Sequence, residues 1–165
     1  MLKIRFALAV TAATALLFSG SPAALPQGLP TTKVLSLDAA RAVAEGALEK
    51  CRADGYRVSV TVLDSSAMLK AFVRDDGTGP HTVDFSRRKA YTALTFKRTS
   101  METGKRWAAN PPAPDIEGTV GTGGGVPILA GNDVIGAVGV SGAPGGDKDE
   151  ACSNAGIAKI ASQLR

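Results

Sequence analysis

A glycine-rich run, Gly121 to Glu150 (GTGGGVPILAGNDVIGAVGVSGAPGGDKDE), constrains the fold more than any other stretch. Val126-Pro127-Ile128-Leu129 reads as one strand and Val134 to Val140 as a second. Between them, Ala130-Gly131-Asn132-Asp133 has hairpin-turn composition, since Gly and Asn tolerate positive φ. The pairing is therefore antiparallel. Gly136 and Gly139 leave the second strand's backbone uncovered, which suits close approach by another element or a ligand. After the loop Ser141 to Gly146, Asp147 with Glu150 three residues on is a capping-box signal for a last helix. Bare N–H groups at such a helix start, beside a glycine loop, attract an anion. An ordinary strand–loop–helix joint has the same composition, so both readings stand at this point.

Met1 to Ala23 reads as a secretory signal peptide. Lys3 and Arg5 form a basic start, Phe6 to Phe18 is apolar and uncharged, and Ser21-Pro22-Ala23 is a small-x-small cleavage site. The apolar run is too short to span a bilayer comfortably. Its removal takes away Lys3 and Arg5 and lowers the formal charge from +4 to +2. So small a charge gives no ground for nucleic acid as a partner. Residues 24–33, with Pro26, Gly28 and Pro30, read as a flexible leader, and 34–165 as one domain large enough for a core.

Ser36 caps a first helix to about Arg52, in which Leu37, Ala40, Ala44, Ala47, Leu48 and Cys51 make one stripe of mostly small residues. Val58 to Leu63 reads as a central strand, and Met68 to Arg74 returns antiparallel after the turn Asp64 to Ala67. The loop Asp75-Asp76-Gly77-Thr78-Gly79-Pro80-His81 carries the chain's single histidine. Paired aspartates in such a turn are more often solvated than catalytic, and nothing here has zinc-ligand spacing.

A second helix runs from Thr82 to about Thr99. Val83, Ala90 and Leu94 mark one face, and Phe85, Lys89, Thr92 and Phe96 another. A helix apolar on two sides is expected to be covered twice, by the sheet and by a subunit or a flat ligand. Arg87, Arg88, Lys89, Lys97 and Arg98 also make it basic. A short third helix from Ser100 to Ala109 stops at Asn110-Pro111-Pro112-Ala113-Pro114, a rigid loop. Asp115 to Thr122 leads back to the glycine run through a short further strand. The last helix spans Lys148 to Leu164 with Ile157, Ile160, Ala161 and Leu164 inward. Hairpin connections and flanking helices make an α+β domain on a mainly antiparallel sheet.

Several segments occur in an ordered set: Leu37-Asp38-Ala39-Ala40, Val60-Thr61-Val62-Leu63-Asp64, Arg74-Asp75-Asp76-Gly77-Thr78-Gly79-Pro80, Arg88-Lys89-Ala90-Tyr91-Thr92-Ala93, Gly123-Gly124-Gly125-Val126-Pro127-Ile128 and Gly136-Ala137-Val138-Gly139-Val140-Ser141-Gly142. Together they resemble the GlcG/HbpS-like family of secreted heme-binding and heme-degrading proteins. The resemblance implies a profilin-like layered domain with a five-stranded antiparallel sheet and helices on both faces. It implies a homo-oligomer, heme or a related tetrapyrrole as ligand, and a membrane sensor or receptor protein as partner. It points to the Lys-Ala-Tyr-Thr-Ala helix and the loop before it: Lys89, Tyr91, Thr92 and His81. In this chain His81 is the expected iron ligand, with Tyr91 as the alternative, and Arg87, Arg88 and Lys89 are expected to pair with propionates.

Three functions follow: sequestering, delivering or sensing heme; degrading heme oxidatively; or handling another small anion at the start of the last helix. Export also exposes Cys51 and Cys152 to an oxidising compartment, where two cysteines with none left over favour a disulfide. Against the bond, Cys152 falls off the apolar stripe expected of its helix, which would turn the sulfurs apart.

Overall fold

The computed structural model describes Gly28 and residues 31–111 and 115–165. The expected signal peptide lies outside the described residues, as do most of the leader and Pro112 to Pro114. The unit Thr32–Arg165 holds all the elements that follow.

The order is α1 (Leu37–Ala53), β1 (Ser59–Asp64), β2 (Leu69–Arg74), α2 (His81–Phe96), α3 (Ser100–Ala109), β3 (Gly125–Ala130), β4 (Asp133–Ser141) and α4 (Gly146–Ala158), with a short 3₁₀ turn at Ala161–Gln163. The sheet is antiparallel throughout, in the order β2-β1-β4-β3. Four strands are present among the described residues where five were expected. The missing one is the segment Asp115 to Thr122, which runs as turns and coil. Its polar groups bond to side chains of α2 instead of to a strand, as described below. Pro127 is tolerated because β3 is an edge strand, where a missing donor costs no ladder bond to a further neighbour.

The strand alternation sorts two faces. Val60 and Val62 of β1 pair with Val140 and Val138 of β4, and with Val126 and Ile128 of β3 they meet α1 and α4. This is the main core. Residues one step out of phase, Ser59, Thr61, Gly125, Ala137 and Gly139, face α2. That second layer is small and polar. Ser59 Oγ bonds Thr82 Oγ1 at 2.8 Å and Thr61 Oγ1 bonds Ser86 Oγ at 2.8 Å, all four groups buried. A Cβ at Gly139 would overlap the carbonyl oxygen of Ser86 and sit 2.6 Å from the amide of Ala90. The glycine therefore serves the approach of α2, one of the two uses expected from its place in the strand.

Ser36 caps α1 as expected, accepting from the amide of Ala39 at 3.1 Å. The stripe of α1 is shifted from expectation. Leu37 is exposed, while Ala39, Val43 and Gly46 are buried with Ala40, Ala44, Ala47 and Cys51. The last helix departs further. It ends at Ala158, its N-cap is Gly145 with no side-chain cap, and Asp147 lies inside the first turn. Its buried positions are Asp149, Cys152, Ser153 and Gly156. Ile160 packs in the core from beyond the helix end, and Ala161 is exposed. Ile157 and Leu164 are partly buried against the same core, as expected, but the fully buried face of the helix is the one that carries Cys152. Cys51 and Cys152 are bonded, with Cα atoms 5.5 Å apart.

Candidate functional site

Helix α2 crosses the small-residue face of the sheet with its outer side partly exposed. At about 3.6 residues per turn, His81, Asp84, Arg88, Tyr91 and Thr95 fall on one ridge. His81 is exposed in the first turn, its ring folded back over Gly79. Arg87 is also exposed, and no ion pair among the described residues involves it. Arg88 is half-buried and engaged. Its Nη2 donates to the carbonyl of Thr119 at 2.8 Å, its Nη1 lies 3.8 Å from Asp84 Oδ2, and its Cζ sits 5.7 Å from the Phe85 ring centroid.

Lys89 and Thr92 face inward. Lys89 Nζ donates to Asp149 Oδ2 at 2.7 Å, with the two side chains only 4% and 3% exposed. Asp149 Oδ1 accepts from the amide of Ala143 at 3.0 Å. Gly124, at φ +120°, passes between them; a Cβ there would lie 2.8 Å from Asp149 Cβ and 3.1 Å from Lys89 Cδ. Burial pushes the Asp149 carboxyl above the usual aspartate range, and the Lys89 charge pulls back against it. With its ammonium committed to Asp149, Lys89 has no reach to a propionate. Thr92 Oγ1 donates to the carbonyl of Arg88 at 2.9 Å and accepts from the amide of Val120 at 2.8 Å. It is the peg that fastens the 116–122 segment to α2.

The second covering of α2 is intramolecular. Phe96 meets Trp107 of α3 edge-to-face at 5.6 Å, and Phe85 is half-buried beneath the cationic groups of Arg88 and Lys89. The two phenylalanines therefore need neither a subunit nor a flat ligand to cover them. Nor is the start of α4 an open anion site. The backbone of Gly123 packs against Gly146, and Asp147 and Asp149 place two carboxylates in that first turn. The aspartate pair in the loop also divides. Asp75 is buried and gripped by Arg52 through two hydrogen bonds at 2.8 and 3.0 Å, with Arg57 at 3.5 Å. The hydrogen bond from Arg52 holds its carboxyl below the usual range.

Two grooves flank the α2 ridge. One, of about 470 Å³, is lined by Ser65, Ser66, Tyr91, Leu94 and Lys97. The other, of about 560 Å³, lies between α2, Trp107 and the segment 115–119. Its lining is mainly polar: Asp84, Arg87, Arg88, Asp115 and Glu117 line it together with Trp107 and Ile116. Sequence reasoning did not find this second groove. Its only local signal is the chain's single tryptophan. The expected site residues thus separate: His81, Arg87, Arg88 and Tyr91 on the outer side of α2, Lys89 and Thr92 in its packing. Among the described residues, no group of three or more His, Cys, Asp or Glu side chains is arranged to hold a metal ion.

This arrangement has known counterparts. Residues 35–158 match the family described as Haem degrading protein HbpS-like. The chain belongs to the HbpS-like family. Protein GlcG of Escherichia coli K12 is 29% identical over 120 residues, covering 68% of this chain and 85% of GlcG. The crystal structure of a double mutant of Streptomyces reticuli HbpS superposes with a TM-score of 0.76 at 38% identity, covering 85% of this chain and 97% of that one. The PduOC:heme complex shares the HbpS-like fold at 21% identity, with a TM-score of 0.70 and coverage of 78% and 96%. What joins these chains to this one is a common layering of helices on an antiparallel sheet.

Proposed function

We propose that this HbpS-like protein binds heme on the outer side of α2, with His81 as the iron ligand, and sequesters, delivers or senses heme outside the cytoplasm. The observation that carries the reading is the placement of the single histidine, exposed in the first turn of α2 three residues before Asp84 of the groove, in a chain of this family. An imidazole is a usual protein ligand of heme iron, and Trp107 and Ile116 offer a surface suited to a flat apolar ring. The residues fit heme in these respects. They do not fit the three-cation clamp on propionates expected from sequence, because Lys89 is paired inside and Arg88 is engaged. Bound heme would supply the iron; His81 would hold it and the groove would shield one side from water. The fold shared with PduOC, whose solved form is a heme complex, is in keeping with this reading.

Titration of the mature protein with heme tests it. A saturable shift of the Soret band is expected, and His81→Ala should move the maximum or weaken binding. An unchanged spectrum and affinity in that variant would remove His81 and leave Tyr91, on the same ridge, as the ligand. A second reading, oxidative heme degradation, is favoured by the family's own description. With a reductant present, loss of the Soret band and growth of biliverdin-like absorbance would establish it.

Export is supported by the Cys51–Cys152 bond, because disulfides persist in oxidising compartments. A homo-oligomer is supported by apolar surface on the outer strand. Met68, Leu69 and Phe72 are 65%, 60% and 39% exposed, and β2 is an unpaired sheet edge in this chain.

A further inference from the structure

We propose that the groove between the β1–β2 turn and the end of α2 binds a small amphipathic carboxylate, at a site separate from the heme site proposed above and independent of it. Two observations meet there. The first is backbone strain. Among the described residues, two that are not glycine have positive φ: Ala67 at 62° and Lys97 at 52°. The other positive-φ positions are all glycines. Ala67 closes the hairpin turn, its amide donating to the carbonyl of Asp64 at 3.0 Å, and Lys97 is the left-handed C-cap of α2. Glycine is the usual residue at both kinds of position, because a Cβ crowds the backbone there. Though far apart in the chain, the two strained residues line one groove of about 470 Å³. Strain that glycine would relieve persists where the side chain is used. The second observation is the chemistry of the lining. Lys97 supplies its one charge, and no ion pair among the described residues involves that ammonium. Ala67, Leu94, Val134 and the Tyr91 ring supply apolar surface, and Ser65, Ser66 and Thr95 supply hydroxyls. The nearby carboxylate of Asp64 is occupied by backbone donors, accepting from the amides of Ser66 at 2.9 Å and Met68 at 3.1 Å. Those bonds also hold the turn in shape without a ligand. An anionic head therefore finds a cation with no competing carboxylate in the lining, and a hydrocarbon or aryl body finds apolar surface beside it. The volume is of the size that holds small ligands, and His81 does not line it.

The probe is 2-naphthoate, a fluorescent monocarboxylate, titrated into the mature protein, with neutral 2-naphthalenemethanol as its control. Naphthoate should bind saturably, more tightly than the alcohol, and lose that advantage at high salt. A second measurement presupposes no site: acetylation of all the lysines, read by mass spectrometry with and without naphthoate. Lys97 should be the lysine that naphthoate protects. The glycine variants separate a site from an ordinary turn and helix end. Ala67→Gly and Lys97→Gly should each raise the melting temperature by about 2–4 °C, because strain is relieved. The same changes should weaken naphthoate binding, by about threefold for the lost methyl and about three- to fivefold for the lost ammonium. The Soret titration with heme should be unchanged in both. Stability gained with no loss of naphthoate affinity in either variant would overturn the proposal. So would failure of naphthoate to saturate, protection of a different lysine, or displacement of naphthoate by one equivalent of heme. None of these results bears on whether heme binds, which the Soret band of the wild-type protein reads by itself.

Discussion

Replacing Lys89 by Met asks whether this lysine belongs to a ligand site or to the frame. Methionine keeps most of the aliphatic stem and deletes the ammonium. The carboxylate of Asp149 would then remain 3% exposed with only the Ala143 amide as partner. Breaking a buried pair from one side costs about 3–5 kcal/mol, because an uncompensated charge stays behind. With a urea m-value of about 2 kcal/mol/M, the unfolding midpoint should drop by roughly 2 M. Adding Asp149→Asn should restore most of this, since the amide oxygen still accepts from Ala143 and no lone charge is left. The pH dependence is a second readout. Burial already holds the Asp149 carboxyl above its ordinary range, and removing Lys89 raises it further. A carboxyl whose folded pKa exceeds its unfolded one binds more protons when folded, so stability falls as pH rises through that window. The deficit of Lys89→Met is therefore smallest in acid and grows from about pH 4 towards neutrality. Urea titrations with intrinsic fluorescence at both ends of that range measure it. A midpoint at neutral pH within roughly 0.3 M of wild type, with heme affinity lost, would refute the structural role and return Lys89 to the ligand.

The Cys51–Cys152 bond spans 101 residues, and its reduction should lower stability by about 4–5 kcal/mol on the chain-entropy account. Thiol titration of the unfolded, unreduced protein should find no thiol, and two per chain would exclude the bond. For the proposed homo-oligomer, Phe72→Asp on the exposed edge strand should give monomers in light scattering without lowering the melting temperature. An unchanged particle mass would take β2 out of the interface.

The sequence by itself determined most of the elements and their connections, though not the course of Asp115 to Thr122, which forms no strand. Ser36 before a small-residue helix, the β-branched run of β1 and the glycine turn between β3 and β4 each act within a few residues. Local backbone preference and one-sided burial are enough to specify such features, and antiparallel pairing follows from the hairpins. The basic character of α2 was legible as well, whereas His81, read as a loop residue, opens the helix in the structure.

Only the tertiary structure decided what the inward groups do. Lys89 and Asp149 are 60 residues apart in the chain, and neither carries a local mark of the other. Lys89 reads as a surface cation until α4 brings a carboxylate to it. Thr92 reads as a ligand contact until Val120 arrives at its hydroxyl. Phe96 reads as a contact for a subunit or a flat ligand until Trp107 covers it. The inner face of α4 was misread because its buried residues, Asp149, Cys152, Ser153 and Gly156, include no large apolar side chain to mark it. A polar or small side chain turns inward where a specific partner or a close backbone waits for it, and that partner comes from a distant part of the chain.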